Sequence, residues 1–282
     1  MEICRSVAHI RTHVRGLRQA GHSVGLVPTM GALHDGHISL VRAAAERADK
    51  VVATIFVNPT QFGDSADLEK YPRTEDADIA RLEAAGVSAV FMPQVSDIYA
   101  EDAETIVETT QLANMLHGIV RPGHYRGVST VVTKLFNIVG PDVAAFGEKD
   151  YQQLQVIRKM VSDLHVPIEI LPVPTMRESD GLAMSSRNVR LTPEDRKAAV
   201  ILCQALDAAE KTVHNGTTVS DLAKSIRATI ATEPRGTLEG LDIVAAESLA
   251  PLDGPINGPT AIMISVKFGD ILLIDQRVVT PR

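Results

Sequence analysis

The chain has 282 residues, 45% of them hydrophobic and 22% charged, enough for one large or two modest domains around a sizeable core. Its formal net charge is −7, so nothing global draws it to nucleic acid or to an anionic membrane, and any anion it binds must be met by local donors. Two cysteines, Cys4 and Cys203, are too few for a disulfide framework or a cysteine zinc site and point to the reducing cytoplasm. The opening MEICRSVAHIRTHVRG lacks the apolar core of a signal peptide, and no apolar run approaches the length of a membrane span.

In chain order, HSVGLVPTM (22–30) reads as a strand running into a turn, and residues 38–48 carry apolar side chains at helical spacing. VVATIFV (51–57) is a buried strand stopped by Asn58-Pro59. TEDADIARLEAAG (74–86) is a helix with acids in its first turn and Gly86 beyond its end, as the helix dipole and helix caps favour. Strand SAVFMP, helix STVVTKLFNIVG, strand DVAAFG, helix DYQQLQVIRKMVSDL and strand PIEILPV follow. This alternation predicts a Rossmann-like α/β fold, a parallel sheet with helices on both faces, whose ligands sit at the carboxyl ends of the strands. Prolines and small polar residues in PVPTMRESDGLAMSSRNVR (172–190) break the rhythm and read as a linker or an active-site loop. Two helical segments, about 193–213 and 218–231, then precede three strands, the last two a hairpin around Gly269-Asp270. The division expected is 1–175 for the Rossmann-like domain and 176–282 for a smaller C-terminal α+β domain that carries the Met-Ser-Ser-Arg loop.

Chemistry concentrates in five stretches. In His34-Asp35-Gly36-His37 the two imidazoles fall one helical turn apart where a strand gives way to a helix whose first amides favour an anion. Imidazoles placed so can donate hydrogen bonds to phosphate oxygens. The same four residues also fit two exposed loop histidines, while a metal pair lacks an evident third ligand nearby. FVNPTQFG (56–63) puts the neutral amides of Asn58 and Gln61 just past the second strand, and is otherwise an Asn-Pro turn. FGEKDYQQL (146–154) offers Lys149 as a phosphate-binding point charge, or a solvated lysine beside the N-cap Asp150. GLAMSSRN (181–188) suits a clamp that closes on phosphate, or a linker. RPGHYRGVSTVV (121–132) adds Arg121, His124 and Arg126 in a Gly/Pro loop that lines a pocket for an acidic substrate or is a surface turn.

Taken in order, H-x-G-H after the first strand and Met-Ser-Ser-Arg after the last resemble the HIGH-motif nucleotidyltransferase superfamily, which includes the class I aminoacyl-tRNA synthetases. PTMGALHDGH, FVNPTQFG, RPGHYRGV, FGEKDYQQL and MSSRN at these spacings resemble, more closely, the pantoate–β-alanine ligase (pantothenate synthetase) family, over residues 22–190 and again in LLIDQRVV. The resemblance implies that pantoate attacks the α-phosphate of Mg-ATP to give pantoyl adenylate and pyrophosphate, after which β-alanine displaces AMP to give pantothenate. It implies ATP contacts from Met30, Gly31, Ala32, Leu33, His34, Asp35, Gly36 and His37. Further ATP contacts are implied from Gly147, Glu148, Lys149 and Asp150, from Met176, and from the closing loop Met184, Ser185, Ser186 and Arg187.

Gln61 and Gln153 hold pantoate on this reading, Gln61 also lies beside β-alanine, and His37, His34 and Lys149 are the catalytic group. His37 is the family's proton donor, although a hydrogen bond to the leaving pyrophosphate suffices physically. Mg²⁺ is held by the phosphates and water, with no protein metal ligand assigned. The resemblance further implies a cytoplasmic homodimer acting on small molecules, with no nucleic acid and no membrane as partner. A nucleotidylyltransferase that keeps AMP in its product would share H-x-G-H, but the Gln61/Gln153 pair suits a small hydroxy acid. A tRNA-charging enzyme is disfavoured by the net charge and by the lack of an anticodon-sized domain. A nucleotide-binding module without catalysis would have no need of His34, His37, Lys149, Ser185, Ser186 and Arg187 together.

Overall fold

A computed structural model describes residues 1–63 and 68–282. Six strands, β1 Glu2–Cys4, β2 Val24–Thr29, β3 Lys50–Ile55, β4 Ala89–Phe91, β5 Val143–Gly147 and β6 Glu169–Val173, form a sheet in the order β1-β4-β3-β2-β5-β6. Every pairing in it is parallel. Strands are added outward from β2 in one direction and, beginning with β5, in the other. The carboxyl ends of β2 and its neighbours therefore flank a topological switch point, where such sheets bind ligands.

Period-two alternation divides the buried residues between the two faces. Val24 and Leu26 of β2, Val52 of β3, Phe91 of β4 and Phe146 of β5 share one apolar cluster with α1 (Val7–Gln19), α4 (His124–Val139) and α5 (Tyr151–Asp163). Val27, Val51, Ala53, Val90 and Ala145 point the other way, into a cluster with α2 (Asp35–Ala45) and α3 (Glu75–Ala84). Helix α4 supplies Val128, Val131, Val132, Leu135, Phe136 and Val139, the i, i+3, i+4 pattern of a core-facing stripe. It begins at His124, five residues before the start that STVVTKLFNIVG suggests, because Gly123 at φ +79° turns the chain directly into it. His124 and Arg126, placed by the sequence in a loop before this helix, therefore belong to its first turn.

By contacts the chain divides into two units, Met1–Gly147 with Gln152–Pro174, and Glu148–Tyr151 with Thr175–Arg282. The second unit packs α6 (Pro193–Ala198), α7 (Ile201–Thr212) and α8 (Val219–Ile230) with an antiparallel sheet of β7 Gly236–Ala245, β8 Thr260–Phe268 and β9 Ile271–Val279. The α/β fold with a smaller α+β unit is as the sequence predicts. The β8–β9 hairpin turns at Gly269 and Asp270, between the pair Phe268 and Ile271, with Gly269 at φ +54°. Residues 193–213, one helix in the sequence reading, are two helices broken between Ala198 and Ile201.

Candidate active site

The H-x-G-H loop leaves β2 at Thr29 and enters α2 at Asp35 with His34 as N-cap. Gly31 and Ala32 lie in the left-handed region, at φ +82° and +50°, so the loop turns within two residues. A carboxylate from elsewhere in the chain holds that turn. Asp78 of α3, 2% exposed, accepts the backbone N–H of Ala32 at 2.9 Å and of Leu33 at 2.8 Å. A Cβ on Gly31 would lie 3.0 Å from Asp78 Oδ2, so glycine is also required for the approach.

The sequence places Asp78 among the acids of a helix's first turn. Its partners, forty-odd residues away, leave no local signal, and its role is missed for that reason.

The two histidines meet. Their ring centroids are 4.1 Å apart with the planes tilted by 46°. The His34 backbone N–H donates to His37 Nδ1 at 3.3 Å, which places the proton of the neutral His37 ring on Nε2 and leaves that atom a donor. Such a ring can hydrogen-bond an anionic oxygen without first taking up a proton. Asp35 is exposed, and its carboxylate accepts from Arg81 at 3.2 Å across a half-exposed ion pair. What it can offer at the helix start without breaking that pair is its backbone amide.

The turn after β3 lies beside this loop because β2 and β3 pair through Thr29 and Ile55. Asn58 and Gln61 are buried, at 1% and 8% exposure. Asn58 Nδ2 donates to Gln61 Oε1 at 3.1 Å and to the Gly127 carbonyl at 3.2 Å, and Gln61 Nε2 donates to Met30 Sδ at 3.3 Å. Gly127 is needed there, since a Cβ would stand 2.6 Å from the Thr60 carbonyl. His124, at the start of α4, bonds the Gln61 carbonyl through Nδ1 at 2.8 Å, and its Nε2 lies 3.4 Å from Arg121 Nη1. His124 and Gly127 are therefore packed on the Gln61 turn, while Pro122 and Arg126 are exposed. Met30 is thus brought against Gln61, and His34 against His37, all on one unit.

Gln153 stands half-buried in the first turn of α5. Its neighbour Gln152 is engaged at three points, donating to the Leu112 and Met115 carbonyls and accepting the His117 N–H. Those bonds hold a loop whose Leu116 sits at φ 51°, ψ −122°, an unfavourable conformation for a residue with a side chain.

In the second unit, Lys149 is largely buried, with Nζ 4.0 Å from Asp150 Oδ2. The Met184 N–H donates to the Met176 carbonyl at 2.9 Å, and Arg177 bridges to Ala183, so the segment before Ser185 is a small hairpin. Ser185 then organises a turn, its Oγ accepting the Arg187 N–H at 3.2 Å and its carbonyl the Asn188 N–H at 3.0 Å. Asn188 Nδ2 closes the turn on the Ala183 carbonyl at 3.0 Å. Arg177 anchors the hairpin through a bidentate pair with Asp275 of β9 at 2.7 and 3.0 Å, and also donates to the Gly181 carbonyl. The sequence leaves a linker or an active-site loop open here, and the hydrogen bonds show a folded loop. No group of three His, Cys, Asp or Glu that could hold a metal occurs among the described residues.

These features match known proteins along the full length. The family model for pantoate-beta-alanine ligase matches residues 2–278. A pantothenate synthetase of Sinorhizobium medicae is 50% identical over 284 aligned positions, covering all of this chain and 97% of that protein. The crystal structure of pantothenate synthetase from Thermus thermophilus superposes with a TM-score of 0.93 at 42% identity, covering both chains completely. That of the Francisella tularensis pantoate-beta-alanine ligase, complexed with beta-gamma ATP and beta-alanine, superposes with a TM-score of 0.81 at 33% identity, over 99% of this chain and 97% of that one. With the family model, the sequence relatives and the solved structures all spanning nearly every residue, the chain belongs to the pantoate–β-alanine ligase family, ligases that form pantothenate.

Proposed function

We infer that this chain condenses pantoate with β-alanine at the expense of ATP, through pantoyl adenylate, releasing pyrophosphate and then AMP. The observation that carries this reading is the pairing of two loops on adjacent strands: one presents the two histidines at a helix start, the other presents the buried Gln61 amide. The pantoate carboxylate attacks the α-phosphorus and the bond to pyrophosphate breaks, with no proton transferred. His37, holding its proton on Nε2, donates to the phosphate side and stabilises the charge that grows on the leaving oxygen. His34 assists at the phosphates. In the second step the neutral amine of β-alanine attacks the acyl carbon, AMP leaves, and the amine proton goes to solvent or to a phosphate oxygen. Alignment of the reacting groups and charge stabilisation supply most of the acceleration, and no covalent enzyme intermediate is needed.

Other roles are assigned on the same basis. Residues 30–37, Gly147, Glu148, Lys149, Asp150, Met176 and Met184–Arg187 are assigned to ATP, with Lys149 and Arg187 as the cations. Gln61 and Gln153 hold pantoate, and Gln61 borders β-alanine. The nucleotide and pantoate functions belong to residues 1–175 and the Met-Ser-Ser-Arg loop to 176–282. Mg²⁺ enters as Mg-ATP, held by phosphates and water; both oxygens of Asp78, an acid close to the loop, are already taken by backbone amides. Two free, buried cysteines suit a cytoplasmic protein, and we propose a homodimer, for which sedimentation at a monomer mass would be decisive against.

The test is ATP–pyrophosphate exchange with pantoate present and β-alanine absent. Exchange that requires pantoate supports the adenylate half-reaction. ATP binding without pantoate-dependent exchange would sink the reading.

A further inference from the structure

Gln61 is connected to a tyrosine that the chemistry itself does not call for. Tyr99 follows the one-turn helix Val95–Ile98, and its ring is held by Lys134, whose Nζ lies 5.1 Å from the ring centroid and donates to the Ile98 carbonyl at 3.0 Å. The Tyr99 hydroxyl donates to Asn58 Oδ1 at 2.9 Å, and Thr60 Oγ1 donates to the same oxygen at 3.0 Å. Burial pushes the Tyr99 phenol above its ordinary range, so it keeps the proton it donates at neutral pH. The groups that bond in one direction only settle which end of the Asn58 amide is which: turned over, its NH₂ would face the Thr60 N–H, 3.4 Å from Oδ1, and its oxygen the Gly127 carbonyl, and the two hydroxyls then complete the shell of Oδ1 as donors.

With Oδ1 so placed, Nδ2 reaches Gln61 Oε1 and occupies the acceptor end of that side chain. Gln61 Nε2 is left facing Met30 Sδ, a weak acceptor that a substrate oxygen can replace with gain. Asn58 is 1% exposed, so water does not compete for these bonds.

We propose that Tyr99 is a positioning residue for the acid substrate, its hydroxyl acting through Asn58 to present Gln61 as a donor toward a ligand carboxylate or hydroxyl oxygen. The proposal rests on the reading that Gln61 holds pantoate.

Tyr99→Phe removes the hydroxyl and leaves the ring and its Lys134 contact. The KM for pantoate should rise about fivefold to tenfold, the worth of one neutral hydrogen bond, while the KM for ATP stays within about twofold. The same substitution made in Gln61→Ala should change the pantoate KM by less than about twofold, because a residue acting through Gln61 has nothing left to act on. An unchanged pantoate KM in Tyr99→Phe, an equal rise for both substrates, or an undiminished effect in the Gln61→Ala background would each overturn the proposal. Gln61→Ala with wild-type pantoate KM would instead remove Gln61 from the pantoate site, and the proposal with it.

Discussion

Each unit anchors one loop with a buried aspartate, and the two do it differently. Asp78 in the first unit accepts two backbone amides, of Ala32 and Leu33, so it holds the course of the chain whatever side chains stand there. Asp275 in the second accepts both arms of the Arg177 guanidinium and the Gln276 N–H, so its loop depends on a single side chain. Main-chain dipoles satisfy a carboxylate without a counter-charge. A guanidinium satisfies it with one, and removing either partner then strands the other. The stranding is unequal, because the Asp275 side chain is 1% exposed and that of Arg177 is 21% exposed.

That asymmetry gives the largest expected effect. Arg177→Ala leaves a buried carboxylate unpaired and should cost about 3–5 kcal/mol, with Asp275→Asn clearly milder because the freed arginine can reach water. Denaturant unfolding of both variants measures it; equal losses would mean that burial of Asp275 does not control the pair. Next comes Asp78→Ala, which removes two charge-assisted bonds and should cost about 2–4 kcal/mol while loosening the H-x-G-H turn. Hydrogen exchange at the Ala32 and Leu33 amides reports that directly, and unchanged protection there would end the role assigned to Asp78.

Smaller again is Thr218→Ala at the start of α8. Thr218 Oγ1 accepts the Asp221 N–H while Asp221 returns a bond to the Thr218 N–H, so losing this cap should cost about 1 kcal/mol by the same unfolding assay. It calibrates what a purely local interaction contributes beside the two long-range anchors.

The smallest effect depends on pH. The Arg196 guanidinium holds the Asp180 carboxyl below its ordinary value near 3.8, and both groups are partly exposed. A depressed folded-state pKa means stability that is fully present above the unfolded value and lost as pH falls through the folded one. The contribution, below about 1 kcal/mol, is therefore complete at neutral pH and disappears in acid below about pH 4. Arg196→Met should lower the unfolding midpoint slightly at pH 6 and not at pH 2. A loss that persists undiminished in acid would assign Arg196 a packing role instead.

Much of this molecule can be read along the chain. Short apolar runs that alternate with helical segments predict a parallel sheet covered on both faces, because strands buried on both sides are apolar throughout while the helices between them are apolar on one stripe. The loops after β2 and β5 are legible as well, since histidines, a lysine and glycines at strand ends are chemically distinctive. Boundaries blur where a neighbour decides them. Gly123 permits the turn into α4, but what the first turn of that helix packs on, the Gln61 carbonyl for His124 and Thr60 for Gly127, is not near in sequence.

What the sequence by itself determined is the order of elements and the stock of reactive side chains, including the paired histidines one helical turn apart. Tertiary structure alone decided how those side chains are held. Asp78 reads as one acid among several, Tyr99 as an aromatic after a short helix, and Arg177 and Asp275 as unrelated charges nearly a hundred positions apart. Each acquires its role through a hydrogen bond that closes a long loop of chain, and local sequence carries no record of a partner that folding has yet to bring within 3 Å.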